Sequence, residues 1–156
     1  MRTLRAAAQA IAAVALAVQF ADVLSAWSTL PARIASHFNG AGLPDGYGDR
    51  STILLVPIIG GALYLLLTVI SYFPNTFNYP VKVTDENRPR LAAISVVMLA
   101  CLNAELCCSF AYITWATIRV AQGRAAGLGL AFLPILLAAI AITIVAGILR
   151  MRRAAV

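Results

Sequence analysis

Residues able to do chemistry are scarce in this chain, and most gather between Pro31 and Arg50, in the stretch PARIASHFNGAGLPDGYGDR. It holds the only histidine, His37, followed by Asn39, Asp45 and Asp49. One imidazole and three oxygen-bearing side chains within thirteen residues form a donor set that a folded loop would gather around a divalent cation. The spacing has neither the helical histidine pair of a metalloprotease nor the glycine and acid pattern of an EF-hand, so no metal site is expected. Ser36 beside His37 makes no catalytic pair either, because adjacency in sequence does not bring a hydroxyl within hydrogen-bond reach of an imidazole. No catalytic residue and no cofactor is assigned, and the expectation is a protein that is not an enzyme. What the stretch does encode is turns. In Asn39-Gly40 and Pro44-Asp45-Gly46, proline presets φ, the Asn and Asp side chains bond nearby backbone, and glycine accepts a positive φ.

Two further acids fall inside apolar runs. Asp22 lies three residues from Gln19 and shares a helix face with it, with Ala15 and Ala26 extending the same stripe, so Asp22 should face protein or nearby water. Glu105 falls near the middle of another run, on a face with Cys101, Cys108, Ser109 and Tyr112. An ionisable residue at that depth is a functional candidate by default. The simpler reading is a protonated carboxyl bonded to a neighbouring helix, since no second acid or base stands at the same depth to make a proton path. Cys101, Cys107 and Cys108 also share one apolar run without a CxxC spacing, which excludes a disulfide framework or structural zinc.

The elements that position these residues follow from composition. Of 156 residues, 62% are hydrophobic and 12% charged, and the mean hydropathy is +0.87. That is well beyond a soluble domain and reads as an integral membrane protein. The net charge of +6 comes from twelve Lys and Arg placed near the ends of apolar runs. This pattern serves membrane orientation and anionic headgroups rather than nucleic acid. Four apolar segments, at about residues 6–30, 52–73, 91–118 and 127–149, predict an all-α, four-transmembrane-helix bundle forming a single membrane domain over residues 1–156. The loop 31–51 joins the first two helices, and 74–90 joins the second and third. Although Arg2, Arg5 and a Leu24-Ser25-Ala26 tripeptide resemble a signal peptide, the first apolar run is too long for one and reads as a retained helix.

Finer expectations accompany these spans. Pro57 should kink the second helix, and Gly60-Gly61 should let another backbone approach it. Thr84 should cap the third helix, with Asp85 and Glu86 in its first turn and Pro89 close behind. Pro134 should bend the fourth, whose alanines and glycines suit close packing. With both termini cytoplasmic, the inside carries Arg2, Arg5, Lys82, Arg88, Arg90, Arg150, Arg152 and Arg153, against Arg33, Arg50, Arg119 and Arg124 outside. The positive-inside rule thus favours N-in and C-in, with the His37 loop outside.

Leu30-Pro31, Ile34, His37-Phe38-Asn39, Gly42, Pro44-Asp45-Gly46 and Tyr47, together with Asn78-Tyr79-Pro80, Thr84, Glu86 and Asn87, carry a resemblance. They resemble the signature of a bacterial membrane domain of unknown function that also forms the N-terminal part of the Sdp-type immunity proteins. The resemblance implies a multi-pass protein of the bacterial cytoplasmic membrane with its loop outside. The best-understood relatives protect a producer cell from its own secreted peptide toxin and hold a transcriptional regulator at the membrane. This chain shows four apolar segments and nothing resembling the further C-terminal segments of full immunity proteins. Only the shared loop positions carry over as binding candidates: His37, Asn39, Gly42, Pro44, Asp45 and Gly46. The partners expected are the lipid bilayer and a secreted peptide or another membrane protein. In the first reading the outer loop binds that peptide or protein, in an immunity or sensing role. In the second the chain is a small accessory subunit packed against a larger membrane complex.

Overall fold

The computed structural model describes residues 1–155. In chain order they form helix α1 (Arg2–Ala26), strands β1 (Arg33–Phe38) and β2 (Pro44–Asp49), and helices α2 (Leu55–Ile70), α3 (Arg88–Ala121) and α4 (Phe132–Ala154). Short 3-10 turns at Trp27–Thr29, Arg50–Leu54 and Pro74–Thr76 join them. Four helical segments are long and apolar enough to cross a membrane, counting the 3-10 turns that extend α1 and precede α2. The molecule is a four-helix membrane protein, and to the expected bundle it adds an antiparallel β-hairpin between α1 and α2.

The organising helix is α3, which packs against α1, α2, α4 and β1. Its 34 residues span about 50 Å at about 1.5 Å per residue, well beyond a hydrocarbon core of about 30 Å. The excess length supports structure at both ends. Along the α1 side, Ala8, Ala12 and Ala15 meet Ala100, Ala104 and Cys107 in one buried cluster. In lipid, apolar side chains gain little by leaving the solvent, so small residues that let backbones approach are what bind helices together. Two buried amides then set the register. Gln19 Nε2 donates to the Cys107 carbonyl at 3.2 Å, and Asn103 Nδ2 donates to the Tyr64 carbonyl at 3.2 Å and to Thr68 Oγ1 at 3.3 Å.

At one end, Val23, Ala26, Leu30, Ile34, Ile53 and Ile118 form a second cluster under the hairpin. At the other, Leu91, Ile94 and Met151 form a third beneath Tyr79, Val81 and Val83 of the 74–87 connection, near both termini. Outside these clusters, α2 and α4 present Leu, Ile and Val outward, including Leu65, Leu66, Ile135, Leu137 and Ile142. Within α4 only Gly147 and Met151 are buried.

Several boundaries differ from those read in the sequence, each for a physical reason. Helix geometry continues past the apolar runs into charged residues, so α3 spans Arg88–Ala121 and α4 extends to Ala154. The start of α4 moves to Phe132, because Gly129 adopts a φ of 84°, which no helix accommodates. Pro57 and Pro134, expected to kink and to bend their helices, both stand in a first helical turn. Each is the third residue of its own helix, where backbone N–H groups have no intrahelical acceptor to lose. Thr84, expected to cap the helix, closes the turn before it: its Oγ1 accepts from Asn87 N at 3.2 Å while Asn87 Oδ1 accepts from Thr84 N at 2.9 Å. That reciprocal pair feeds a helix whose N-cap is Asn87, with no acid in its first turn.

Gly60 is tight against side chains rather than another backbone. A Cβ there would lie 3.1 Å from Phe110 Cδ2 and 3.4 Å from Gln19 Oε1, whereas at Gly61 the nearest atom is Leu16 Cδ1 at 3.9 Å. Gly60→Val is therefore expected to cost about 1–3 kcal/mol through overpacking, while Gly61→Ala changes stability by less than about 0.5 kcal/mol. Unfolding in mixed detergent micelles measures both. Equal effects at the two positions would remove Gly60 from the helix contact assigned to it.

Candidate functional site

The hairpin is built by local sequence and then fastened to the bundle. Asn39 Oδ1 accepts from Ala41 N at 2.9 Å and Leu43 N at 3.1 Å, and the Asn39 backbone N–H donates to the Leu43 carbonyl at 2.9 Å. This closes the tip and starts the ladder, in which Arg33 faces Asp49, Ile34 faces Gly48, Ala35 faces Tyr47 and His37 faces Gly46. Irregular pairing around His37 marks a bulge there, a device that re-aims a side chain. Successive strand residues point to opposite faces, so the burial of both Ile34 and Ala35 means that β1 is covered on both sides at this point. Asp45, Tyr47 and Asp49 alternate outward along β2 with the less exposed Gly46 and Gly48. A Cβ on Gly46 would lie 3.0 Å from that of His37, and one on Gly48 would lie 2.9 Å from Thr52 Cγ2. The two glycines let the strand lie close to the imidazole and to the approach to α2.

Of the four donor residues, the structure brings two together. His37 Nδ1 lies 2.5 Å from Asp45 Oδ1, with the side chains 70% and 43% exposed. Asn39 is used up in the tip. Asp49 caps the 3-10 turn before α2, its Oδ1 accepting from Ser51 N at 2.8 Å. That hydrogen bond, with the Ser51 side chain and the charge of Arg50 adding to it, holds the Asp49 carboxyl below the usual carboxylate range. Among the described residues no three His, Cys, Asp or Glu side chains converge. The His37–Asp45 pair leaves Nε2 of the imidazole exposed to solvent.

The tip has a seat that the sequence did not disclose. Gly42 has a φ of 75°, its carbonyl accepts from Leu128 N at 2.7 Å, and Tyr112 Oη donates to the Leu128 carbonyl at 2.7 Å. A Cβ on Gly42 would lie 2.7 Å from the Gly129 carbonyl oxygen, and one on Gly127 would lie 2.1 Å from the Gly42 carbonyl oxygen. One residue, Leu128, thus ties the hairpin tip, the α3–α4 connection and α3 together through its own backbone. Tyr112 also stacks on Phe132, the first residue of α4, with ring centroids 5.1 Å apart. The Gly127-Leu128-Gly129 spacing was a usable signal, but before a long apolar run it reads as the start of the helix.

Glu105 faces α4, where Thr143 Oγ1 donates to its Oε1. Its Oε2 is buried without a partner. The residue lies beside a cavity of about 580 Å³ that Cys108, Ser109, Tyr112, Phe132 and Leu136 help to line. Cys101 lies one turn nearer the N-terminus of α3, against a different groove. Asp22 falls at the margin of the α1 stripe; the buried positions are Ala15, Gln19, Val23 and Ala26, and Asp22 is half-exposed.

The fold and the hairpin define a class: a helical membrane protein with four membrane-crossing helices that fasten a small polar β-hairpin to one end. Residues 11–61, from α1 through the hairpin into α2, match a family described as "Domain of unknown function (DUF1648)". Over an 89-residue alignment the chain is 29% identical to an uncharacterized protein of Archaeoglobus fulgidus, with 48% of this chain and 49% of the relative covered. The chain thus spans about half the length of this curated relative. No solved structure matches it. The chain is similar to a family of unknown function in the part that holds the hairpin.

The seat makes a definite demand on Gly42. Gly42→Ala combines an unfavourable φ with a backbone collision and is expected to cost about 1–3 kcal/mol and to loosen the tip. Gly40→Ala meets nothing within 4 Å and is expected to be neutral. Thermal unfolding and the rate of proteolysis between β1 and β2 read both effects. A neutral Gly42→Ala would show that the tip is not anchored at Leu128.

Proposed function

We propose that the hairpin is a recognition element for a peptide or protein on the outer side of the membrane, and that the four helices hold it there without catalysing a reaction. The observation that carries this reading is the combination of a fastened base and tip with an unfastened polar face. Ile34, Ala35 and Gly42 are committed to the bundle, while His37, Asp45, Tyr47 and Leu43 are left exposed. In the two-stranded sheet β2 pairs only with β1, so its far edge offers backbone N–H and C=O groups to an extended chain. The excess of Lys and Arg at the end that carries both termini supports an outward hairpin. The likeness of the loop residues to the domain shared with Sdp-type immunity proteins supports an immunity or sensing role, with a secreted peptide as ligand, in a bacterial cytoplasmic membrane.

Orientation is tested first. In intact cells a membrane-impermeant thiol reagent is expected to label Gly40→Cys, and to label Glu86→Cys only after permeabilisation. The reverse pattern overturns the proposal. In the same cells, a photoreactive residue at position 47 is expected to give a discrete cross-linked species that is not a second copy of this chain; no such species from a correctly oriented hairpin would also overturn it.

One observation favours a second reading, in which the chain is an accessory subunit. With only Gly147 and Met151 fully buried in α4, that helix presents the face away from α3, including Ile135, Leu137, Ile142 and Val145, to lipid or to another protein. A photoreactive residue at the exposed position 137 would then cross-link to a larger membrane protein, and extraction in mild detergent would yield a stoichiometric complex. A free monomer or homodimer without cross-links from α4 rules this reading out.

A further inference from the structure

We infer that the end of the bundle opposite the hairpin holds a binding site for an anionic glycerophospholipid, with its phosphate among Arg90, Arg150 and Arg153 and an acyl chain in the groove between α1, α3 and α4. The site has two joined parts. A cavity of about 630 Å³ is lined by Arg90 of α3 together with Arg150 and Arg153 of α4. A groove of about 440 Å³ shares Met1, Ile94 and Arg150 with that cavity and continues toward the middle of the bundle between Leu4, Val97, Met98, Ile142 and Ala146.

Charge complementarity identifies the occupant. Guanidinium groups are donors only, and none of these three lies within ion-pair distance of a carboxylate among the described residues. Arg150 and Arg153 near the C-terminus of α4 are helped by its dipole, but Arg90 sits in the first turn of α3, where the dipole opposes a cation. An anion at this point relieves both the mutual repulsion of the arginines and the opposition of the dipole. A bare phosphate would account for the arginines and leave the groove without a role. A neutral hydrocarbon would fill the groove and leave the charges unmatched. A diacyl lipid with a net negative headgroup satisfies both parts, and basic pockets between membrane helices have this use as a class. The site stands apart from the hairpin and does not depend on what the hairpin binds.

The test uses the full chain in a neutral detergent. Native mass spectrometry compares retention of dioleoyl phosphatidylglycerol with that of dioleoyl phosphatidylcholine, which has the same tails and no net charge. The wild-type protein is expected to retain the anionic lipid roughly tenfold or more over the neutral one, and the Arg90→Gln, Arg150→Gln, Arg153→Gln triple variant to lose that preference. Substituting Arg33 and Arg124 by Gln at the hairpin end should leave it unchanged. Ile142→Trp, which narrows the groove and keeps every arginine, should lower retention of the dioleoyl lipid by a similar factor, so the test stands even if the triple variant folds poorly. Glycerol phosphate at millimolar concentration should fail to displace the lipid. Undiminished preference in the triple variant, undiminished retention in Ile142→Trp, or full displacement by glycerol phosphate would each overturn the site as described.

Discussion

Everything at the hairpin end depends on how α1 is held against α3, and two amide side chains set that placement. Small residues alone would let the two helices slide, since alanine against alanine looks much the same one turn further along. The hydrogen bond from Gln19 to the Cys107 carbonyl removes that freedom on the α1 side, and the Asn103 contacts with Tyr64 and Thr68 do the same for α2. Each such bond contributes only about 0.6–2 kcal/mol in a membrane. Their effect is larger than that figure implies, because sliding would leave a polar amide without a partner in hydrocarbon. With the register set, Val23, Ala26 and Leu30 arrive opposite Ile118, and the chain leaves α1 at the point where Ile34 drops into the same cluster.

From there the hairpin is held at two separated places, and the difference between them matters. Its base is held by apolar burial of Ile34 and Ala35, which is insensitive to direction. Its tip is held by a single backbone hydrogen bond, Leu128 N to the Gly42 carbonyl, between stretches stripped of side chains by Gly42, Gly127 and Gly129. Close approach of two backbones leaves no room for a substitute contact, so the tip is seated in one position or not seated. The Leu128 carbonyl is also the acceptor for Tyr112, and Tyr112 stacks on the start of α4. The helix least packed into the bundle is therefore attached, at this end, through the same residue that holds the hairpin.

How much of this could be read in the sequence varies with the range of the interaction. The four helices and the turn chemistry of Asn39 were legible because hydropathy and turn propensity are local, but Pro44-Asp45-Gly46, expected as a second turn, is the start of β2, with Asp45 bonded to His37 and the positive φ at Gly42 instead. The strand pairing was less so: β2 reads Pro-Asp-Gly-Tyr-Gly-Asp, with almost none of the β-branched residues that mark a strand. It is a strand because β1 and the 3-10 turn before α2 hold it in place. The Thr84–Asn87 pair was half legible: Thr84 does accept a backbone N–H, but it closes the turn before the helix, whose N-cap is Asn87, and the acids lie in that turn rather than in the helix. What could not be read were the long-range contacts. Nothing near Gly42 points to Leu128, eighty-six residues on, and nothing near Glu105 points to Thr143. The donor set of His37, Asn39, Asp45 and Asp49 separated for a related reason. Asn39 and Asp49 each had a nearer backbone partner, and a side chain that caps a turn is not available as a ligand.

The two ends of the bundle consequently do different kinds of work with similar materials. Both carry arginines. At the hairpin end, Arg50 lies over Trp27 at 5.2 Å and Arg119 over Trp115 at 5.0 Å, so these cations are spread over ring faces and act as interfacial anchors. At the other end Arg5 is placed likewise over Tyr72, but Arg90, Arg150 and Arg153 surround a cavity and have no aromatic face beneath them. Arg50 and Arg119 are thus already engaged within the chain, which leaves the hairpin surface to Arg33, His37, Asp45 and Tyr47. Three of the arginines at the opposite end remain available for an anion from outside it.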